Sequence, residues 1–345
     1  MDKRDKQILA YIKKHPSLSS FEIFEGVGLE ISYATLKRIL TRLREDQLII
    51  SEGQGRGTTY VISPLYALLY PIDIDQYFEQ EIDEREIRTD FNLELLSQLE
   101  EIPSLFTNNE TEHLTSLQKQ FERNISELST SEYKKEQERL AIDLSWKSSQ
   151  IEGNTYSLLE TERLLKEKET ASGKSKDEAV MLLNHKEAID FLIGEPDYLN
   201  PLSVAKIEDI HSILIKDLGV DRNIRKRRMG ISGTNYRPLD NEYQIREALG
   251  DLCTLINART SVFEKALLAL VLLSYIQPFG DGNKRTARIV SNAILMGYKH
   301  CPISFRTVDS ISYKKAMLLF YEQNNIFIFK EIFMDQFEFA VQTYF

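Results

Sequence analysis

An apolar run, Ala266–Leu273 followed by Tyr275 and Ile276, leads directly into Gln277-Pro-Phe-Gly-Asp-Gly-Asn-Lys-Arg-Thr-Ala-Arg288. The run is too short to span a bilayer and reads as a buried helix, so the segment that follows sits at the edge of a core. That segment has the chemistry of a polyphosphate site. Gly280 and Gly282 permit backbone conformations that a Cβ resists, which lets amide N–H groups turn toward an anion. A helix is expected to begin near Asn283, with its first N–H groups unpaired and the positive end of its dipole outward. Arg285 and Arg288, three residues apart, share one helix face and can converge on one anion. Asp281 has the opposite sign, which is explained if it holds a Mg²⁺ ion that bridges phosphate oxygens. A Gly-rich turn that caps a helix, followed by solvated arginines, would account for each feature taken singly.

As a string, the segment closely resembles the signature of the Fic (filamentation induced by cyclic AMP) family, His-Pro-Phe-x-Asp-Gly-Asn-Gly-Arg-x-x-Arg. The resemblance implies a mainly α fold, a helical Fic core with a short β-hairpin flap, and transfer of AMP from ATP to a Ser, Thr or Tyr hydroxyl of a target protein. It also implies that Asp281 binds Mg²⁺, that Asn283 orients the α-phosphate, and that Arg285 and Arg288 hold the outer phosphates. Gly280, Gly282 and Lys284 complete the nucleotide site, and Asn283 and Arg285 join position 277 in the catalytic set.

Two residues depart from the signature. Gln277 stands where the family has the His that deprotonates the target hydroxyl. An amide neither accepts nor releases a proton near neutral pH, so the general base is missing, a loss worth about 10²–10⁴ in rate. Lys284 stands where most AMP-transferring members have Gly. Asn-Lys-Arg-Thr is similar here to the Doc-type toxins of the same superfamily, which transfer phosphate instead. Lys284 is expected to point into water or to reach a phosphate.

Upstream, a helical pattern runs from about Glu132 through Trp146-Lys-Ser-Ser-Gln-Ile-Glu-Gly-Asn154, with Gly153 as its stop signal. Glu152 then falls in the last turn, where the helix dipole disfavours an anion unless a cation faces it. Ser148-x-x-x-Glu152-Gly153 resembles the inhibitory motif of the family, in which the glutamate pairs with the second signature arginine, here Arg288. Between the two motifs, Asn223–Pro238 is rich in turn residues and basic side chains and reads as a short hairpin over the phosphate loop. By resemblance it is the flap, with Ile231, Ser232, Gly233, Thr234 and Tyr236 clamping an extended target segment by β-augmentation. His211 falls on the apolar side of a helical pattern from Val204 to Leu218 and is read as a packed core residue, not as a replacement base.

The chain carries a formal charge of −10, yet residues 1–62 hold ten Lys/Arg against eight Asp/Glu. That sign change marks a domain. Helices are expected at Lys3–Lys14, Ser20–Phe24 and Tyr33–Glu45, the last capped by Ser32, followed by a two-stranded wing from Leu48 to Ile62 around Gly53–Gly57. The order resembles a winged helix-turn-helix domain, which puts its third helix in the DNA major groove and its wing near the backbone. Tyr33, Lys37, Arg38, Arg42 and Arg56 are the expected DNA contacts; a winged helix used for protein contacts is the alternative.

The expected domains are therefore 1–62, a winged helix-turn-helix; 63–139, a helical connecting region; and 140–345, the Fic domain with its inhibitory helix. Within the connector, Glu79–Arg88 reads as a solvated helix face and Asn108–Glu112 as a loop. Two distant cysteines and five scattered histidines supply neither a disulfide framework nor a zinc spacing. Charge interrupts Met1–Lys14, so no signal peptide is expected and the location is taken as cytoplasmic. The leading function is an autoinhibited protein adenylyltransferase using ATP and Mg²⁺, impaired by Gln277. The alternative is a nucleotide-sensing, DNA-binding regulator without transfer activity, and a Doc-like phosphotransferase ranks third. Partners would be a protein hydroxyl and DNA but no membrane, and a homodimer is compatible with this set.

Overall fold

The computed structural model describes residues 1–345, apart from the side chain of Arg56. Helix dominates. The N-terminal unit consists of α1 (Lys3–Lys14), α2 (Ser20–Gly26) and α3 (Tyr33–Glu45) with β1 (Leu18–Ser19), β2 (Ile49–Glu52) and β3 (Thr59–Ile62). Asp2 and Ser19 close capping boxes, and Ser32 caps α3 through Thr35 N at 3.1 Å. Ile8, Leu9 and Ile12 meet Leu36, Ile39, Leu40 and Leu43 in the core. The antiparallel sheet has the order β1-β3-β2. Its third strand was not expected from sequence, because β1 is a two-residue strand that pairs Leu18 with Tyr60 and Ser19 with Thr59.

The connecting region holds three short helices, α4 (Tyr66–Leu69), α5 (Ile74–Phe78) and α6 (Leu95–Glu100), and then α7 (Asn108–Glu127). Two expectations are corrected. Asn108–Glu112 is not a loop but the first turn of α7, started by a Thr107/Glu110 capping box. Glu79–Arg88 is not a solvated helix face but a series of turns. Arg85 turns inward there, 3.3 Å from the buried Glu322 carboxylate and 2.9 Å from Gly233 O. A buried cation needs acceptors, and those acceptors bend the chain.

The core contains α8 (Thr130–Ile151), α9 (Leu158–Glu167), α10 (Lys176–Gly194), α11 (Val204–Leu214), α12 (Glu242–Ala258), α13 (Val262–Ile276), α14 (Asn283–Gly297), α15 (Ser310–Gln323) and α16 (Phe327–Thr343). Every residue of α13 from Phe263 to Ile276 is buried, so this helix is the axis on which the others pack. Its most extensive partner is α14, and α12, α15 and α16 also flank it. No helix among the described residues is long and apolar enough to cross a membrane.

The expected β-hairpin flap is absent as a regular hairpin. Residues 223–240 pass over the cleft as an irregular segment whose one bridge, Asp90 with Arg237, is parallel. Its polar groups are used elsewhere: Arg225 N bonds Pro278 O at 3.0 Å, Arg237 N bonds Thr89 O at 2.7 Å, and Tyr236 is buried against Tyr275. Two of its N–H groups and the Tyr236 ring are thereby drawn onto the connector and core, and no regular ladder forms among the described residues.

Glu264 ties the connector to α13. The 3% exposed residue accepts from Ser104 Oγ and Leu105 N at 2.9 Å and from Arg259 Nη1 at 3.4 Å. Replacing it with Ala would leave the Leu105 N–H without an acceptor and the Arg259 guanidinium without its counter-charge, with only the Leu99 and Ile102 carbonyls to receive it. Glu264→Ala is expected to lower stability by about 2–4 kcal/mol, measured by urea denaturation.

Candidate functional site

α13 ends at Gln277, held in the left-handed conformation at φ 52° and ψ 58°, and the chain turns through Pro278–Gly282 into α14. Gly282 is the N-cap of α14 at φ 79°, and a Cβ there would meet Ile215 Cγ2 at 3.2 Å. Gly280 is different. It lies outside the left-handed region with open space where a Cβ would go, so the conformational need expected at both glycines holds only at Gly282.

Because Gly282 offers no side-chain cap, the helix starts with its amides unsatisfied. The first helical bond runs from Thr286 N to Gly282 O at 2.8 Å, leaving the N–H groups of Asn283, Lys284 and Arg285 ahead of it. They open on a cleft of about 350 Å³ lined by the loop, by Met229–Ser232 and by residues of α15. Ile231 and Ser232 of the expected flap line this cleft. Thr234 and Tyr236 do not: both are buried, and Tyr236 donates to Tyr275 O at 3.1 Å.

The charged groups of the cleft are mutually engaged. Arg288 is fully buried on α14; its Nε donates to Ser148 Oγ at 2.8 Å, and its Nη2 donates to Ser148 O at 2.9 Å and Glu152 Oε1 at 2.8 Å. The ring of Tyr313 lies 5.3 Å from its guanidinium carbon, while its Nη1 is buried without a partner among the described residues. Glu152 ends α8, and Gly153 follows at φ 102°. Lys284, expected in water or on phosphate, instead lies 3.5 Å from the other oxygen of Glu152. Arg285 is 1% exposed and reaches Asp281 Oδ2 at 3.1 Å, whereas the Asp281 side chain is 64% exposed. A solvent-facing carboxylate with one oxygen not held by Arg285, beside unpaired helix-start amides, has donor chemistry that fits a Mg²⁺ ion.

Gln277 and Asn283 are turned inward. Gln277 Nε2 donates to Ser274 O at 2.6 Å and Tyr321 OH at 2.9 Å, and its Oε1 accepts from Asn283 Nδ2 at 3.1 Å. Asn283 also closes the loop on itself, accepting from Phe279 N and donating to Phe279 O, both at 2.8 Å. Each amide hydrogen of the two side chains is used.

Two histidines lie beneath the site. His211 stacks on Phe279 with ring centroids 3.6 Å apart, and its Nε2 meets Asp281 O at 3.0 Å. A carbonyl only accepts, so Nε2 carries the proton. Burial pushes His211 down to about 4, against the opposing pull of its backbone bonds. His185 is wholly buried; burial first, then the Arg288 and Arg285 charges, hold it well below the usual histidine range. Both rings are uncharged at neutral pH. Tyr313 and Tyr321 were missed in the sequence because they come from α15, with no local signal to tie them to the loop.

At the N-terminal unit, Lys37 and Arg38 are exposed on α3. Tyr33 braces α2, its hydroxyl 2.8 Å from Ser20 Oγ, and Lys37 lies over its ring at 5.4 Å. Arg42, one turn further along α3, is half exposed and pairs with the buried Asp5 of α1. The side chain of Arg56 lies outside the described residues.

Residues 201–295 match the model of the Fic/DOC family. A protein adenylyltransferase Fic of Nematostella vectensis is 30% identical over 180 residues, covering 48% of this chain and 40% of that protein. The protein adenylyltransferase fic-1 of Caenorhabditis elegans is 29% identical over 153 residues, covering 42% and 30%. The chain thus spans two fifths or less of the length of these curated relatives. Among solved structures, Fic-1 (residues 134–508) from C. elegans superposes with a TM-score of 0.60 at 22% identity, covering 68% of this chain and 72% of that one. A Fic domain containing signaling protein from Bacteroides thetaiotaomicron superposes at 0.58 and 20% identity, covering 67% and 94%. The chain is thus similar to Fic proteins, with the family match confined to residues 201–295.

Burial raises the pKa of Glu152, but the Arg288 and Lys284 charges and the Arg288 hydrogen bond outweigh it, and the net shift is below the ordinary 4.5. A carboxylate lowered in this way keeps its pairing above the ordinary value and loses it only as pH falls through the lowered one. Calorimetric titration with ATP·Mg²⁺ should therefore find no gain in affinity as pH falls from neutral to 4.5; a rise centred on 4.5 would mean that Glu152 titrates as a free side chain.

Proposed function

We propose that this chain is a nucleotide-binding Fic-type protein of the adenylyltransferase branch, held inhibited by Glu152 and weakened in its chemistry by Gln277. The observation that carries the proposal is the contact of Arg288 with Ser148 and Glu152. It joins the two motifs across α8 and α14 and occupies a cation that would otherwise face phosphate. The uncapped start of α14 and the orphan Arg288 Nη1 support an anionic ligand, and ATP with Mg²⁺ is the one proposed. Mg²⁺ at Asp281 would neutralise charge on the phosphates when bound. In the transfer, a target hydroxyl oxygen bonds to the α-phosphorus, the bond to the β-phosphate oxygen breaks, and pyrophosphate leaves. The hydroxyl proton needs an acceptor, and Gln277 supplies none. Asn283 is proposed to orient the α-phosphate through its free backbone N–H, its side-chain hydrogens being held by Gln277 and Phe279. Arg285 and Arg288, with Lys284, are proposed to meet the outer phosphates once Glu152 is displaced, and Ile231 and Ser232 to meet the target.

A second reading, a nucleotide-sensing regulator without transfer activity, is favoured by the bonding of Gln277. Its amide is tied to Ser274, Tyr321 and Asn283, so it serves as a structural brace. Both readings share the proposed winged-helix contact to DNA through Lys37, Arg38 and Arg56. A Doc-like phosphate transfer rests on Lys284 alone, and the pairing of Lys284 with Glu152 gives it no added support.

Intact-mass measurement after incubation with ATP·Mg²⁺ separates the readings. Glu152→Gly is expected to strengthen ATP binding by about tenfold or more, as a buried cation is freed for phosphate. Combining it with Gln277→His should add AMP to the protein itself, while neither change alone does so. A double variant that binds ATP without gaining an AMP adduct would favour the regulator. For the N-terminal unit, electrophoretic mobility shifts with the DNA upstream of its own gene should weaken steeply with salt, and Arg38→Ala with Arg56→Ala should weaken them further. No shift at low salt would redirect residues 1–62 to protein contacts.

A further inference from the structure

A second cavity, of about 930 Å³, lies where the N-terminal unit meets the connector and core. Leu65, Leu68, Leu95, Leu99 and Ile102 give it an apolar wall, and Ile49 lines it from the wing. Mainly apolar cavities of this size at the junction of two folded units are typical places for small molecules. The wall is also incomplete in its polar bonding. Gln47 donates through Nε2 to Phe106 O at 3.2 Å, yet its Oε1 is buried without a partner among the described residues.

Charge narrows the chemistry. Arg44, in the last turn of α3, and Arg88 both border the cavity, and neither forms an ion pair among the described residues. Glu101 is the one carboxylate in the lining, and it is exposed. Two unpaired guanidiniums beside an apolar wall match a molecule with a hydrocarbon body and a carboxylate head, since guanidinium binds carboxylate through paired, charge-assisted hydrogen bonds. We propose that the cavity is a binding site for an amphipathic carboxylate of this kind. Its occupant touches the wing and the core together. Asn92, in the lining, accepts the connection onward: its N–H donates to Tyr275 OH at 2.9 Å, and Tyr275 lies on α13 just before Gln277.

Isothermal titration of the full chain with octanoate tests the site, with 1-octanol as the uncharged probe of equal length. Saturable octanoate binding is expected, with 1-octanol at least about tenfold weaker. Arg44→Ala with Arg88→Ala should reduce octanoate affinity by at least about tenfold and leave 1-octanol unchanged. Both arginines are exposed, so the fold should survive, and circular dichroism checks that it does. Ser51→Trp, also at an exposed position in the lining, should block both probes. Absence of saturable octanoate binding, equal affinity for the two probes, or binding unchanged by these variants would overturn the proposal.

Discussion

A guanidinium sealed from water has to be met by acceptors, and Arg288 determines how two distant stretches of this chain come together. It enters from the middle of α14, and α8 supplies Ser148 and Glu152 to receive it. Leaving such a cation unpaired would cost several kcal/mol, so the approach of α8 to α14 and the burial of the arginine stand or fall together. The same contact explains why a carboxylate is tolerated at the end of α8, where the dipole alone would oppose it. Lys284 on the other Glu152 oxygen adds a second positive neighbour. Both cations are thereby committed to the one carboxylate.

The loop between α13 and α14 is held in a different way. Glycine at the N-cap leaves α14 without a side-chain cap, and the shape of the loop is secured by Asn283 and Gln277, whose amides use all their hydrogens on the loop and on α13 and α15. Gln277 is thus well suited to fixing geometry and unsuited to proton transfer. An imidazole at this position has fewer hydrogens to offer and would bond Ser274, Tyr321 and Asn283 less completely. Holding the loop and moving a proton make different demands on one position.

Much of this was legible in the sequence because the signals are local. The start of α14 at Asn283, the Ser32 cap, the wing around Gly53–Gly57 and the stop at Gly153 each depend on residues within a turn or two of one another. What was not legible depended on distant partners. Arg85 bends Glu79–Arg88 out of a helix because Glu322 receives it from the far end of the chain. Tyr236 leaves the flap because Tyr275 and Tyr321 stack on it at 4.9 and 5.3 Å. Lys284 leaves the solvent because α8 delivers Glu152 to it. The start of α7 is a separate case: Thr107 and Glu110 had the spacing of a capping box, and the signal was local but unread.

The one tryptophan of the chain, Trp146, sits on α8 two residues before Ser148, with its indole N–H on Tyr156 O at 3.0 Å. That bond spans the turn at Gly153, so the indole touches both sides of the point where the helix stops. Its emission therefore comes from the segment that bears Glu152, with no other indole to dilute it. The protein carries a built-in optical probe of that segment, readable without any label.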